Sequence, residues 1–345
     1  SGSDRVTTKE TERMQGLGLI FSSPHTAESV EGVDVVVVSS AIRPENPAYK
    51  AAKDAGTPIY LRAQCLGAIL HTRKGVIISG THGKTTTSAM AAHLLREADL
   101  KPSHYVGAEI PILGANAHWS TEGELMVAEG DESDGTLTLY HPEHSVILNI
   151  EAEHLDHYRD LDHIKEVFTT LADQTAGKLI YCAEDDVARE LCETRDNAIS
   201  YGWEDADYTA SEVRDLRGSS AFTLSRKGEV LGDIELGIPG RHNVLNALAA
   251  IALADISGAE FTAIARALAS FAGAKRRFEN KYLSASYRII DDYGHHPSEI
   301  AATLQTARSL KPERIVVLFQ PHRYSRTQLL AEDFGKVLQA ADQVF

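Results

Sequence analysis

The chain has 345 residues, 43 % hydrophobic and 24 % charged, with a formal net charge of −15 and a pI near 5.4. This acidic balance disfavours nucleic-acid or anionic-membrane partners, and no apolar run approaches the roughly 18 residues of a membrane span. Three cysteines without a C-x-x-C pair indicate thiols in a reducing cytosol. We expect a cytoplasmic protein of two or three domains, at roughly 100–200 residues each.

Residues 1–73 alternate short apolar runs with helix-like stretches. The runs "VDVVVVSS" and "PIYL" predict strands, and "NPAYKAAKDAG" predicts a helix that Gly56 stops. This alternation is typical of a parallel sheet. Because the chain begins "SGSDRV" without methionine and stops at "AADQVF" where a strand begins, we expect a fragment at both ends.

A second block opens with the strand "GVIIS" at 75–79, then a loop and the helical "TTTSAMAAHLLREADL". The loop ends in Gly83-Lys84-Thr85, as phosphate-binding loops do. However, the first glycine of the pattern G-x-x-x-x-G-K-S/T would fall on Ile78, and the nearest earlier glycine is Gly80. The pattern is therefore a shortened form.

The shortened loop still carries each part of a phosphate site. Gly80 and Gly83 permit a tight turn, and backbone N–H groups at a helix start bind anions. Lys84 can reach the β- and γ-phosphates of a nucleotide, and Thr85 offers a hydroxyl to Mg²⁺. The alternative is a surface turn with an ordinary lysine. The buried strand before and the amphipathic helix after favour the nucleotide site.

The strand "LMVAE" at 125–129 places Glu129 at its carboxyl end, the edge where open α/β sheets bind ligands. A carboxylate there can hold Mg²⁺. The next acidic residues, Asp131, Glu132 and Asp134, are interpreted as site residues or as a solvated loop and helix cap.

The strand "SVILNI" at 145–150 precedes "EAEHLDHY", with His154 and His157. They form a zinc pair or are exposed loop histidines. A zinc hydrolase needs a third ligand and an open position, for which His295 and His296 are available.

The apolar run "KLIYCAE" (178–184) predicts a further strand, and an antiparallel hairpin is predicted from Tyr208 to Leu236. Asn243 and Asn246 then stand one turn apart at a helix start. Their amides match the edge of an adenine base, whereas the alternative for Asn243 is helix capping. The basic patches "KRRFE" and "FQPHRYSRT" suit phosphate or carboxylate capture, or are surface salt-bridge clusters.

These segments together resemble the Mur ligase family of ATP-dependent amide-forming enzymes. The motifs that carry the resemblance occur in family order: "VSSAIRPENP", "GTHGKTTT", "EGDESDGT", "NIEAEHLDHY", "PGRHNVLNALAA", "KRRF", "DDYGHHPSE" and "FQPHRYSRT". The resemblance implies an α/β fold of three domains: a partial Rossmann-like UDP-sugar domain (1–73), a central P-loop ATPase domain with a small antiparallel sheet (74–275) and a partial Rossmann-like C-terminal domain (276–345).

The resemblance also implies roles for individual residues. ATP would be bound by Gly80, Thr81, His82, Gly83, Lys84, Thr85, Thr86, Asn243, Asn246, Arg277 and Asp292. Mg²⁺ would be held by Thr85, Glu129 and His154, and catalysis would involve Lys84, Glu129 and His154. The substrates would be contacted by Ser39, Ser40, His82, Tyr293, His295, Arg323 and Arg326.

The activity implied is the joining of L-alanine to the carboxylate of UDP-N-acetylmuramate through an acyl phosphate, in cytoplasmic peptidoglycan precursor synthesis. The substrates, ATP and Mg²⁺ are the expected partners of a monomer or weak homodimer. One alternative is a recycling ligase that adds L-alanyl-γ-D-glutamyl-diaminopimelate to the same sugar, although "IEAEHLDHY" and "DESDGT" favour the alanine-adding enzyme. Others are a P-loop ATPase fragment without ligase turnover and the zinc hydrolase.

Overall fold

The computed structural model of the chain describes residues 1–154, 157–216 and 218–345. Contacts divide it into two compact units, Ser1–Ile69 and Leu70–Phe345. Among the described residues, no helix is both long and apolar enough to cross a membrane.

The first unit contains two parallel strand pairs and their helices. Its elements are β1 Gly2–Ser3, α1 Lys9–Gly16, β2 Phe21–Ser22, a 3₁₀ turn Ala27–Val30, β3 Val36–Val38, α2 Pro47–Asp54, β4 Ile59–Leu61 and α3 Arg62–Leu70. Strand β1 pairs with β2, and β3 pairs with β4. Helix α2 begins where predicted, because Asn46 caps the N–H groups of Ala48 and Tyr49.

Ten strands of the described residues in the second unit form one sheet. They are β5 Lys74–Ser79, β6 Ser103–Tyr105, β7 Ala117–His118, β8 Leu125–Glu129, β9 His144–Ile147, β10 Leu179–Cys182, β11 Ala198–Gly202, β12 Tyr208–Asp215, β13 Ser220–Arg226 and β14 Glu229–Leu236. Their order is β14-β13-β12-β11-β10-β9-β5-β8-β6-β7. Across the sheet, every neighbouring pair between β12 and β6 is parallel. The pairs β12–β13, β13–β14 and β6–β7 at the two edges are antiparallel.

Strand β5 lies between β8 and β9, and the chain crosses to opposite sides of it, which makes the end of β5 a switch point of the sheet. The helices of this region are α4 Lys84–Glu97, α5 Leu161–Asp173, α6 Asp186–Cys192, α7 Arg241–Ile256 and α8 Phe261–Ser270, with 3₁₀ turns Pro111–Leu113 and Thr136–Leu139. Helices α4 and α7 are buried over most of their length and share one core with the sheet. This packing fixes the start of both helices beside the carboxyl end of β5.

Residues 276–345 follow as a smaller layer. Its elements are the hairpin β15 Glu279–Leu283 and β16 Arg288–Asp291, then α9 Pro297–Ser309, β17 Val316–Val317, α10 Tyr324–Leu329, α11 Ala331–Leu338 and β18 Gln343–Val344. Strands β17 and β18 are parallel. A small core of Ile300, Leu304, Ile315 and Phe334 holds the helices together.

The predicted α/β architecture is confirmed, with differences at element ends. The antiparallel segment consists of three strands that extend the main sheet. Strand β9 stops at Ile147, short of the predicted Ile150. Leu148 N still donates to Ser79 O, at the end of β5, at 3.0 Å, but the next residue bonds to the phosphate loop instead, because Thr81 N donates to Asn149 O at 3.0 Å.

Candidate active site

The phosphate loop joins β5 to α4 at the switch point. Gly80 has a φ of +139°, and a Cβ there would lie 2.9 Å from Leu148 Cβ. Gly83, the N-cap residue of α4, has a φ of +86°, and its Cβ would lie 2.6 Å from Asn246 Oδ1. Both positions therefore require glycine for conformation and for space. Since Gly83 has no side chain to cap α4, the first N–H groups of the helix are available to an anion.

The Lys84 side chain folds over this loop. Its Nζ donates to Gly80 O at 2.6 Å and to Thr81 O at 3.0 Å, and it lies 2.8 Å from Glu132 Oε2. Burial opposes the charge on Lys84, but the Glu132 carboxylate outweighs burial and raises the pKa of the ammonium. A charged ammonium therefore lies beside the N-terminus of α4, where a phosphate would require it.

The acidic loop after β8 contains one buried, ion-paired carboxylate and two carboxylates that cap the loop backbone. Glu132 is only 3 % exposed and pairs with Lys84, so the interpretation of this residue as solvated is wrong. Asp131 and Asp134 act as loop caps, accepting the N–H groups of Ser133 at 3.0 Å and Thr136 at 3.3 Å.

Glu129 is the last residue of β8, as predicted, and both of its carboxylate oxygens have a partner. Thr85 Oγ1 donates to Oε1 at 3.0 Å, and Gly107 N donates to Oε2 at 2.7 Å. Hydroxyl and carboxylate oxygens are ligands that Mg²⁺ prefers, so Thr85 and Glu129 fit a magnesium site. Gly107 was not anticipated, because a backbone N–H leaves no mark in the side-chain pattern.

Replacing Gly107 by Ala tests how Glu129 is held. The new Cβ would lie 2.8 Å from Glu129 Oε2, so the carboxylate must move. We expect the Mn²⁺ dissociation constant, measured by the EPR signal of free Mn²⁺ with ATP present, to rise about tenfold, the equivalent of one weakened carboxylate contact of about 1.4 kcal/mol. Gly335→Ala, where a Cβ meets nothing within 4 Å, is the control. Equal Mn²⁺ affinity in both variants would rule out the positioning role of Gly107.

His154 lies near two buried carboxylates. Its Nε2 is 3.5 Å from Glu132 Oε1 and 3.8 Å from Glu153 Oε2, and these three residues form a group that could hold a metal ion. Among the described residues, that group does not include His157, which packs edge-on against Tyr158. The alternative interpretation of His154 and His157 as a zinc pair therefore has no support among the described residues. Positions 155 and 156 of this motif lie outside the described residues.

Asn149 locks the phosphate loop to the loop after β9. Its Oδ1 accepts from His82 N at 2.7 Å, and its Nδ2 donates to His82 O at 3.1 Å. Thr81 Oγ1 also accepts from Glu151 N at 2.8 Å. Asn149 was missed as a site residue, although its signal was present: an amide directly after a predicted strand.

A cavity of about 290 Å³ lies beside the loop. Its lining brings together Gly83, Thr86, Asn243, Asn246, Arg277 and Asp292. These residues come from the phosphate loop, the first turn of α4, α7 and the start of the 276–345 layer. The sequence predicted each of them as a nucleotide contact.

The asparagine pair lies inside helix α7. The helix begins at Arg241 with Gly240 as its N-cap residue, so the interpretation of Asn243 as the helix cap is wrong. Asn243 Nδ2 instead donates to Pro239 O at 2.7 Å, and Asn246 Nδ2 donates to Asn243 Oδ1 at 3.3 Å. The two amides therefore orient each other at the wall of the cavity.

Asp292 and Arg277 are held by neighbours on the same layer. Asp292 accepts from Phe278 N at 2.8 Å and Gly294 N at 2.7 Å. Arg277 Nη1 lies 3.3 Å from Glu299 Oε1. Both side chains line the cavity and leave it charged on this side.

The residues predicted to contact the substrates are less closely grouped than those that line the nucleotide cavity. Arg326 forms a buried ion pair, with Nη2 2.6 Å from Glu153 Oε1, and His295 Nε2 is 4.0 Å from the same oxygen. Tyr293 is 45 % exposed and packs under Arg276, and Arg323 precedes α10 with a φ of +68°. Ser39 and Ser40 follow β3 in the first unit, and both are exposed.

A short phosphate loop at a sheet switch point, a charged lysine and an amide-lined cavity are typical of nucleotide-dependent enzymes that transfer phosphoryl groups. Matches to models of known protein families identify the family of this chain. The Mur ligase middle domain matches residues 78–254, the glutamate ligase domain of Mur ligases matches 276–345, and the catalytic domain of the Mur ligase family matches 1–74. The chain belongs to the Mur ligase family.

Individual proteins of this family are similar in sequence over the whole chain. The UDP-N-acetylmuramate–L-alanine ligase of Gloeobacter violaceus is 44 % identical over 345 residues, which are 100 % of this chain and 74 % of the relative. The ligase of the same name from Microcystis aeruginosa is 42 % identical over 365 residues, 100 % of this chain and 75 % of the relative.

A solved structure agrees as well. The crystal structure of the UDP-N-acetylmuramate-alanine ligase of Thermotoga maritima matches with a TM-score of 0.86 and 32 % identity over 99 % of this chain and 78 % of that one. The murein peptide ligase of Psychrobacter arcticus matches with a TM-score of 0.78 over 99 % of this chain and 78 % of that one, but at 23 % identity it shows the fold alone.

Proposed function

We propose that this chain joins L-alanine to the carboxylate of UDP-N-acetylmuramate at the expense of ATP. The use of ATP is supported by the phosphate loop, whose charged Lys84 lies beside the N-terminus of α4. The choice of sugar and amino acid rests on the named reaction of relatives 44 % and 42 % identical over the whole chain.

The reaction has two steps. The muramoyl carboxylate oxygen attacks the γ-phosphorus of ATP, the bond from that phosphorus to the β–γ bridging oxygen breaks, and ADP leaves with the electron pair. The amine of L-alanine then attacks the acyl carbon, phosphate leaves, and the nitrogen loses a proton as the amide forms. Such transfers depend on positioning and charge stabilisation. Lys84 and the N–H groups at the start of α4 supply both, so no serine or cysteine nucleophile is needed.

We assign Mg²⁺ to Thr85 and Glu129, with His154 at a second position. When bound, Mg²⁺ would neutralise charge on the β- and γ-phosphates. The assignment is supported by the 3.0 Å contact of the Thr85 hydroxyl with Glu129 and by the buried carboxylates around His154.

The remaining assignments are also proposals. The protein would be a cytoplasmic enzyme of peptidoglycan precursor synthesis, and a monomer or weak homodimer without nucleic-acid or membrane partners. Its domains would span residues 1–73, 74–275 and 276–345. The cavity-lining Asn243, Asn246, Arg277 and Asp292 would contact the nucleotide. Tyr293, His295, Arg323 and Arg326 would face the substrate carboxylates. Ser39 and Ser40, in the first unit, stay predicted substrate contacts.

Phosphate release from ATP tests the proposal. We expect release to require both UDP-N-acetylmuramate and L-alanine, because the acyl phosphate needs the sugar carboxylate and its breakdown needs the amine. Mass spectrometry should find the alanyl product. Release with L-alanyl-γ-D-glutamyl-diaminopimelate but not with L-alanine would replace the proposal by the recycling ligase. Release that ignores both amines would reduce the chain to an ATPase.

A further inference from the structure

The side chain of His82, in the phosphate loop, lies between two carboxylates from different segments. Its Nε2 is 3.4 Å from Glu151 Oε2, and its Nδ1 is 3.6 Å from Glu299 Oε1. These separations are at the long limit of hydrogen bonding, so we describe the contacts as ion pairs. The His82 and Glu299 side chains are 14 % and 12 % exposed, which makes the second pair largely buried.

Glu299 also organises the layer that completes the nucleotide cavity. It accepts from His295 N at 2.9 Å and His296 N at 3.3 Å, which caps helix α9, and it pairs with Arg277 at 3.3 Å. Glu151 accepts from Ser298 Oγ at 2.7 Å. Both partners of His82 are therefore connected to the start of α9.

The backbone of His82 is fixed independently of its side chain. Asn149 bonds to both the N–H and the carbonyl of His82. The imidazole therefore extends from a fixed point of the phosphate loop, and it forms one ion pair with Glu299 of α9 and one with Glu151, which accepts from Ser298 of α9.

We propose that His82 is a positioning residue: its imidazolium clasps Glu299 and Glu151 and so holds the start of α9, with Arg277 and Asp292, against the phosphate loop. The sequence predicted a different role, contact with the nucleotide and the substrate. The clasp rests on the proposed ATP site for its effect on turnover. Its effect on the stability of α9 does not depend on that function.

The electrostatics of the group agree with the geometry. Burial opposes the charge on His82, but Glu151 and Glu299 outweigh it and raise the pKa to about 9. Burial lowers the pKa of His296, which stacks beside His82 at 4.9 Å between ring centroids, and also that of His295. Burial would raise the Glu299 pKa, but His82 and the cation of Arg277 hold it well below its usual range.

A double-mutant cycle with His82→Gln and Glu299→Gln tests the clasp. Hydrogen exchange is read at the amides of residues 294–300 in the enzyme without ligands. Each single variant is expected to exchange about tenfold faster there, and the double variant no faster than the worse single, because both remove the same interaction. Asp333→Asn, which breaks an exposed pair with Lys336 on the same layer, is the control and should leave these amides unchanged.

Two further readouts separate positioning from simple destabilisation. The wild-type protection should be complete below about pH 6.5, and should fall as the pH rises through the raised His82 pKa of about 9, whereas His82→Gln should show no such transition. The variant should raise the KM for ATP more than it lowers kcat, because the chemical groups remain. Additive effects in the cycle, or a pH transition that persists in His82→Gln, would overturn the clasp even if the ligase activity is as proposed.

Discussion

Lys84→Met is expected to lower ATP-dependent phosphate release by at least about 10²–10³-fold, as removal of a single charge-stabilising donor does in other enzymes. The variant should also be less stable. Glu132 is 3 % exposed and has Lys84 as its cation at 2.8 Å, and stranding one member of a buried pair costs about 3–5 kcal/mol. Phosphate release and calorimetry measure the two effects separately.

A second variant separates chemistry from stability. In Lys84→Met/Glu132→Gln the stranded charge is gone, so we expect the melting temperature to recover while activity stays lost. Lys74→Met, at the opposite end of β5 and 59 % exposed in its pair with Glu124, should change neither quantity. Substantial activity in Lys84→Met would contradict the phosphate role, and a double variant no more stable than the single would contradict the buried pair.

Gly83→Ala is expected to weaken ATP binding by about 10–100-fold, which corresponds to about 1.4–2.7 kcal/mol. Its φ of +86° is costly for any residue with a Cβ. In addition, that Cβ would lie 2.6 Å from Asn246 Oδ1, so the asparagine must leave the wall of the cavity. The dissociation constant for ATP, measured by calorimetry, reports the combined effect.

Gly258→Ala is the matched control. Gly258 has a φ of +92°, but a Cβ there meets nothing within 4 Å. The two variants should therefore lose similar stability from backbone strain, while only Gly83→Ala loses nucleotide affinity. If both variants bind ATP equally well, the contact between Gly83 and Asn246 does not shape the site.

The residues that sequence reasoning located are those whose role follows from local position. Glu129 ends a predicted strand, and Lys84 and Thr85 start a predicted helix after a glycine turn, so the edge rule for α/β sheets placed all three together. The structure does bring them together, with Thr85 3.0 Å from Glu129.

The contacts that were missed depend on approaches between distant segments. Glu132 pairs with Lys84, Gly107 N supports Glu129, and Glu299 faces His82. In each case one partner is a backbone group or an acidic residue that would be equally ordinary on a surface. Periodicity reports which face of an element is buried, but it does not report which other segment covers that face. The end of β9 was misplaced for the same reason.

The dependence of the phosphate loop on later segments has a consequence for synthesis of the chain. Gly80 packs against Leu148, and Gly83 packs against Asn246, so the loop has its shape only when those residues are in place. At about 5–20 residues per second, a ribosome needs about 8–32 seconds to proceed from Lys84 to Asn246. During that time the emerging polypeptide carries the complete motif, but we expect it to bind ATP only after α7 has left the exit tunnel.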